Sequence, residues 1–544
     1  MSIRGKFLAP VARLAGLHAG LQLARFLRAC RDCRDTQDRL LGELVASAAR
    51  SDFGRDHGLG AVRDYSDFVR AVPLGDYAAL WPYLQQVLAG RPEAMFGPGL
   101  AVRMFALTSG TTGQPKHIPV TDRFLADYHR GWNIFGVKAL QDHRDGWLRP
   151  IVTIASSACE SRSSTGLPCG AISGLLAQRQ KWIVRRMYPV PAAVRDIRDS
   201  ATKFYAILRC AIGHDVGLLT TANPSSLIKL AQAALEQPQR LIRDVRDGTF
   251  SPPGELPAAM AGKMRFRPDE PLAGRLEAIL GREGRLAPRH YWKPAVITCW
   301  TGGTVSLYLP QVRELYGEVP IRDIGLLASE GRLSLPLEDD TPAGLAEITG
   351  NFLEFIPAVA AGQSSPPVLR AHELEVGQEY SIVLTNWAGL WRYQIGDRVR
   401  VVGKVGSCPV YEFLSRGLHT SSITGEKLTE HQVVQAMRAA CRQLGAGIEL
   451  FELQGHFAPV PYYQLRVELP AGVESSSMSE SMDSALRREN TEYDAKRGDG
   501  RLGPVRVKAL PPGHFAGNED RLLRKLGRGE QYKHRYLLSD IITD

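Results

Sequence analysis

Apolar residues recur at helical spacing over residues 35–50, with Leu40, Leu41, Leu44 and Val45 on one face, and Ser51-Asp-Phe-Gly54 closes the stretch. Ahead of it, Met1 to Ala29 mixes Leu and Ala with Arg4, Lys6, Arg13, His18, Arg25 and Arg28. These charges interrupt every apolar run, so neither a signal peptide nor a ~20-residue membrane span fits. The stretch reads as a packing helix, with a membrane-surface helix as the other option. Val102 to Leu107 reads as a buried strand that feeds a Thr/Gly loop. Strand-like runs follow at Ile151–Ala155, Ala295–Trp300, Ile324–Ala328 and Tyr380–Thr385, with helical stretches at 200–212 and 225–247. This alternation predicts an α/β chain. The run Trp391–Val402 carries an internal Gly-Asp and runs into the turn residues Gly403, Gly406 and Pro409. A helix is expected from about Glu430 to Leu444, then a strand pair near 448–455 and 462–469. The Ser-rich Gly472–Ser484 stretch reads as a loop or helix lead-in. A boundary near 414–418 divides a large N-terminal domain of mixed sheets and helices, 1–415, from a small α+β C-terminal domain, 416–544.

The length requires more than one core: the chain has 544 residues, and single cores stop growing at roughly 250–300. Hydrophobic residues at 44% and charged residues at 23% describe a globular protein. The net charge of +10 allows nucleic acid, a membrane surface or an anionic small molecule as partner. The basic residues are spread along the chain rather than clustered with aromatics, which disfavours nucleic acid. The eight cysteines include one CxxC, Cys30 and Cys33, without a second pair at zinc spacing. They read as reduced thiols and point to the cytoplasm.

The chemistry gathers at Thr108-Ser-Gly-Thr-Thr-Gly-Gln-Pro-Lys116. Gly110 and Gly113 allow a tight backbone whose N–H groups face phosphate oxygens. Thr108, Ser109, Thr111 and Thr112 add hydroxyl donors, and Lys116 adds a cation. The pattern is not the Walker loop. Alone it is also compatible with a surface turn; the buried strand before it and Pro-Lys after it favour phosphate. Neither a GxSxG elbow nor an HExxH metal motif is present. His117 beside the loop is more simply a packing residue.

The string TSGTTGQPK resembles the phosphate-binding signature of the firefly-luciferase-like adenylate-forming superfamily. Four more segments follow in that superfamily's order: Cys299-Trp-Thr-Gly-Gly-Thr304, Ala328-Ser-Glu-Gly331, Tyr393-Gln-Ile-Gly-Asp397, and Ser415-Arg-Gly417 with Gly425-Glu-Lys427. Within it, Ser51-Asp-Phe-Gly-Arg-Asp-His-Gly58, Ser306-Leu-Tyr-Leu-Pro310, Phe352-Leu-Glu-Phe-Ile-Pro357 and Gln531-Tyr-Lys533 resemble the bacterial form of the auxin-responsive acyl-acid-amido synthetase family. The resemblance implies a mobile C-terminal domain and roles for named residues. Gly302 and Gly303 would lie along the adenine, with Phe352 where plant relatives carry a tyrosine. Ser329 would serve the phosphate, and Glu330 would hold Mg²⁺, which takes oxygen ligands and keeps several waters. Asp397 would bond the ribose hydroxyls. Arg416 and Lys427 would flank the hinge and reach the adenylate. Lys533 would offset the charge that builds at the α-phosphorus. Leu326 departs from the pattern, since the superfamily usually places an aromatic there. Leu418-His419 also departs, at the pivot.

The expected function is an ATP- and Mg²⁺-dependent ligase. It activates a carboxylic acid as acyl-AMP and passes the acyl group to an amine. Transfer to a coenzyme A or carrier-protein thiol, and nucleotide binding without catalysis, are the alternatives. A basic surface-binding protein is the bland third. The expected acyl pocket lies between the phosphate loop and the 160–225 and 300–330 regions, with Ser161–Gly174 as a lining loop. The sequence names neither acid nor amine, nor the oligomeric state.

Overall fold

The computed structural model of the chain describes residues 3–108, 116–154, 161–172, 185–197, 199–256, 264–416, 420–448, 450–515 and 536–543, with isolated positions 159, 175 and 260. The chain forms two compact units, one ending at Leu414 and the other beginning at Ser415.

The larger unit is α/β with several sheets. The N-terminal stretch is one helix, Ile3–Arg31, which buries Leu23, Phe26 and Cys30. A second helix, Cys33–Ala48, buries the expected face of Leu40, Leu41, Leu44 and Val45. No helix among the described residues is long and apolar enough to cross a membrane. The cysteines are free thiols, with Cys30 and Cys33 buried where the first helix breaks.

Ile151–Ile154, Leu218–Thr221, Val296–Thr298 and Ile321–Arg322 form a four-stranded parallel sheet. Its members are short and mostly buried, as parallel strands between helices must be. The helical stretch expected over 225–247 is two helices, Ser225–Leu235 and Pro238–Asp247. Pro238 lacks an N–H to continue the first helix and is pre-set to start the second. A second sheet pairs Val102–Thr108 with Lys116–Thr121 antiparallel, placing Thr108 opposite Lys116. Pro168–Gly170 and Ser161–Arg162 extend it, so part of the expected lining loop is strand.

A seven-stranded sheet follows the order Ser334–Leu335, Gly344–Ala346, Cys408–Arg416, Leu390–Val405, Glu379–Asn386, Asn351–Pro357, Leu369–Arg370. The Leu390–Val405 strand is longer than the apolar run indicated. It passes through Gly403, turns at Gly406 (φ 60°), and Pro409 sits inside the next strand. Two irregularities interrupt its pairing with Glu379–Asn386. In the first, Trp391 and Arg392 together oppose Thr385, and Arg392 takes a left-handed φ of 40°. A non-glycine residue is held there only when its surroundings over-determine it. Arg392 meets that condition. Its N–H donates to the Thr385 hydroxyl at 2.9 Å. Its guanidinium grips the fully buried Glu354 carboxylate through Nε at 3.1 Å and Nη2 at 2.9 Å, and donates to the Val72 carbonyl at 3.0 Å. The Tyr65 hydroxyl donates to the same carboxylate at 2.9 Å. In the second irregularity, Ile395, Gly396 and Asp397 oppose Ile382 alone, with Gly396 at φ 84°. The Gly-Asp pair is therefore a bulge inside one strand and not a turn between two.

The smaller unit has a four-stranded sheet, Arg506–Ala509, Tyr462–Val467, Phe451–Phe457 and Leu537–Thr543. Helices Glu430–Leu444 and Ser475–Glu489 pack together, and Met437, Leu453, Tyr463, Met478 and Leu486 share their core. The second of these helices begins at Ser475, inside the stretch read as a loop or lead-in. Its buried Met478, Met482, Ala485 and Leu486 supply the apolar face. Serine between such anchors does not prevent a helix; packing decides.

Removing one partner of a buried ion pair leaves an uncompensated charge. Glu354→Gln is expected to destabilise the larger unit by about 3–5 kcal/mol, read as a lowered urea midpoint at unchanged denaturant slope.

Candidate active site

The segment at 327–332 is a two-residue hairpin. Leu327–Ala328 pairs with Gly331–Arg332, leaving Ser329 and Glu330 as the turn. Of the expected Ile324–Ala328 strand only Leu327–Ala328 forms, because Gly325 turns at φ 89° and gives its N–H to Asp323 at 2.6 Å. The hairpin is pinned on two sides. The Ser329 hydroxyl donates to the Leu107 carbonyl at 3.0 Å, next to the end of the Val102–Thr108 strand. The Asn386 amide donates to the Glu330 carbonyl at 2.7 Å and to the Asn351 side chain at 3.0 Å. Asn351 in turn donates to the Arg332 carbonyl at 2.8 Å. Gly331 has to be glycine here, since a Cβ would lie 2.8 Å from Asn351 Oδ1.

Lys116 opens its strand beside this hairpin. Its ammonium donates to the Tyr393 hydroxyl at 3.3 Å and lies 5.4 Å from the Tyr77 ring centre and 5.9 Å from that of Tyr393. Tyr77 reaches the same strand through its hydroxyl, which accepts the His117 N–H at 2.9 Å and donates to the His117 carbonyl at 3.3 Å. Burial, with Glu330 nearby, pushes the Tyr77 phenol up to about 12, so it stays neutral at ordinary pH. Lys116, Ser329, Glu330, Tyr77 and Tyr393 thus converge. Thr108 sits at the strand end facing Lys116. Ser109, Gly110, Thr111, Thr112 and Gly113 lie outside the described residues.

The glycine pair belongs to a strap from Cys299 to Thr304. Gly302 packs closely enough that a Cβ would meet Pro342 at 2.9 Å, and Gly303 begins a short 3₁₀ helix. The buried Asp323 holds the strap by accepting the Thr301 N–H at 2.6 Å and hydroxyl at 2.9 Å. Burial raises its carboxyl above the usual range, and the N–H groups of Thr301 and Gly325 oppose that rise. The Trp300 indole donates to the Gly325 carbonyl at 2.9 Å. Asp397 is buried in the second bulge. Phe352 is fully buried, between Phe68 and Tyr65 at 6.0 Å from each. It is a core ring in this structure rather than an exposed stacking surface, because both faces of the Asn351–Pro357 strand are covered.

In the smaller unit, Lys427 takes a left-handed φ of 49° at the end of a turn. The fully buried Glu426 makes that turn. Its carboxylate accepts the N–H groups of Ile423 at 2.7 Å and Thr424 at 2.8 Å, the Thr424 hydroxyl at 2.7 Å, and the Tyr463 hydroxyl. Arg416 closes the Cys408–Arg416 strand, and Lys533 lies outside the described residues. The sequence reading passed over Asp323, Asn351, Asn386, Tyr77, Glu354 and Glu426. Two had a signal: Glu354 interrupts an apolar strand and Glu426 sits between glycine and lysine.

An amide in place of either buried carboxylate turns an acceptor into a donor facing N–H groups. Asp323→Asn and Glu426→Gln are each expected to cost about 1–3 kcal/mol, read as a lower unfolding midpoint of the affected unit.

The sequence matches the GH3 family N-terminal domain over residues 22–321, the GH3 family central domain over 345–416 and the GH3 family C-terminal domain over 431–540. It is 26% identical to the probable indole-3-acetic acid-amido synthetase GH3.1 of Oryza sativa subsp. japonica, covering 91% of this chain and 86% of that protein. It is also 26% identical to the jasmonoyl–L-amino acid synthetase JAR6 of Nicotiana attenuata, covering 92% and 90%. The fold is similar to that of the solved acyl acid amido synthetase AtGH3.15 in complex with 2,4-DB, with a TM-score of 0.68 and 19% identity over 96% of this chain and 95% of that one.

Proposed function

The chain belongs to the GH3 family, and from that premise we propose that it is an ATP-dependent ligase joining a carboxylic acid to an amino acid-like amine. The observation that supports this reading is that Lys116 opens the strand paired with Val102–Thr108, that Ser329 bonds Leu107 of that partner strand, and that Tyr77, beside Lys116, lies near Glu330. A carboxylate is a poor electrophile. In the first step its oxygen attacks the α-phosphorus of ATP, the bond to the β-phosphate oxygen breaks, and pyrophosphate leaves. In the second step the amine attacks the acyl carbon, AMP departs with the electron pair of the acyl–oxygen bond, and the nitrogen gives up a proton.

Lys116 offsets phosphate charge in the first step, at the point where the Thr/Gly loop rejoins the sheet. Ser329 and Glu330 would serve the same phosphates from the hairpin. Among the described residues no cluster of three acidic, His or Cys side chains forms a metal cage. Mg²⁺ binds through one or two carboxylates with phosphate oxygens and water. Glu330 is the residue that would hold it, and the ion would supply charge neutralisation to the triphosphate. Asp397 serves the ribose and Gly302-Gly303 the adenine. Lys427 would offset charge on the adenylate and Lys533 the charge at the α-phosphorus.

The test is a matrix of carboxylic acids and amines incubated with ATP and Mg²⁺, with products read by mass spectrometry. An amide and AMP in stoichiometric amounts are expected. Thioesters with coenzyme A and no amides would overturn the choice of acceptor. Glu330→Gln is expected to lower turnover about a hundredfold while the protein remains folded by circular dichroism.

A further inference from the structure

We propose that Tyr77 is a positioning residue for the phosphate-facing lysine, holding the Lys116 ammonium between its own ring and that of Tyr393 before nucleotide arrives. The proposal rests on the reading that Lys116 contacts the phosphates of ATP. Tyr77 belongs to none of the motifs in the sequence, and 39 residues separate it from the lysine.

Three observations carry it. The first is the cradle itself. The ammonium lies 5.4 Å from one ring centre and 5.9 Å from the other, and donates to the Tyr393 hydroxyl. A cation over an aromatic face within about 6 Å is attracted to the ring, more so when partly desolvated. The second is that Tyr77 also fixes the backbone that carries the lysine. Its hydroxyl makes both a donor and an acceptor contact with His117, the residue after Lys116. One side chain therefore sets both the start of the strand and the direction of the ammonium.

The third is how Tyr77 and Tyr393 are held in mutual register. The Gly75 N–H donates to the Arg392 carbonyl at 3.1 Å, and the Gln394 N–H donates to the Gly75 carbonyl at 2.8 Å. These two bonds form a parallel bridge between Gly75 and Tyr393. Asp76 then caps the Tyr77–Leu88 helix through the Ala79 N–H at 3.1 Å. Tyr77 is thus the first residue of a capped helix that is stitched to the strand bearing Tyr393, next to the Trp391–Arg392 bulge. A lysine on a flexible four-carbon stem gives up rotamer freedom when it binds phosphate. A cradle formed in advance reduces that loss at the moment of binding.

The test is calorimetric titration of ATP with Mg²⁺ into the full chain, which needs no knowledge of the acid. Tyr77→Leu is expected to weaken ATP binding about tenfold. Tyr77→Phe keeps the ring but loses both hydroxyl contacts with His117, and is expected to weaken binding by less than Tyr77→Leu. Lys116→Ala is expected to weaken binding at least tenfold, and Lys116→Ala with Tyr77→Leu no further than Lys116→Ala alone, since the tyrosine acts through the lysine. Losses that add in the double variant would overturn the positioning role. So would unchanged binding in Tyr77→Leu beside a weakened Lys116→Ala. Unchanged binding in Lys116→Ala would instead overturn the phosphate role of the lysine, a separate failure. Unfolding midpoints of each variant within a few degrees of the parent establish that the comparison is between folded proteins.

Discussion

The buried pair of Glu354 and Arg392 is the constraint on which the arrangement of the larger unit turns. Glu354 alternates inward from one strand, and Arg392 reaches it from a bulge in a strand of the same sheet. Without the carboxylate, an arginine at φ 40° has no reason to hold that backbone shape. With it, the bulge accepts a bridge from Gly75, Tyr393 turns toward Lys116, and the Tyr77 helix starts beside them. The pair costs desolvation and is weak evidence for net stability. What it supplies is register, because a one-residue slip in this strand would send Tyr393 to the opposite face.

The same physical device recurs elsewhere. Asp323 fixes the 299–304 strap, the amides of Asn351 and Asn386 fix the Ser329–Glu330 hairpin, and Glu426 fixes the turn that ends in Lys427. In each case a buried polar side chain satisfies backbone groups of an irregular segment, which would otherwise be left unpaired. Such segments have no repeating hydrogen-bond pattern of their own. Side chains supply it, and the geometry beside the proposed phosphate, adenine and hinge residues follows from them.

This explains what could be read from the sequence. Helix faces such as Leu40, Leu41, Leu44 and Val45, and strands such as Val102–Thr108, follow from periodicity alone. The α/β class followed from their alternation, and motif order pointed to the family. Three features were not legible. Periodicity could not show that Pro238 divides one apparent helix into two, since both halves keep an apolar face. It could not distinguish a Gly-Asp turn from a Gly-Asp bulge, because the difference lies in the partner strand. Nor could it find Tyr77 or Asn386, whose roles depend on contacts 40 and 56 residues away. Phe352 shows the converse: its place in a motif suggested the adenine, and its place in the strand buries it against Phe68.

We propose that this constellation activates a carboxylate on ATP. This is tested most directly by exchange of labelled pyrophosphate into ATP, with the full chain, Mg²⁺ and a panel of carboxylic acids. Exchange is expected to require one of the acids and to fall to background in Lys116→Ala. ATP binding without exchange for any acid, or exchange of equal rate in Lys116→Ala, would contradict it.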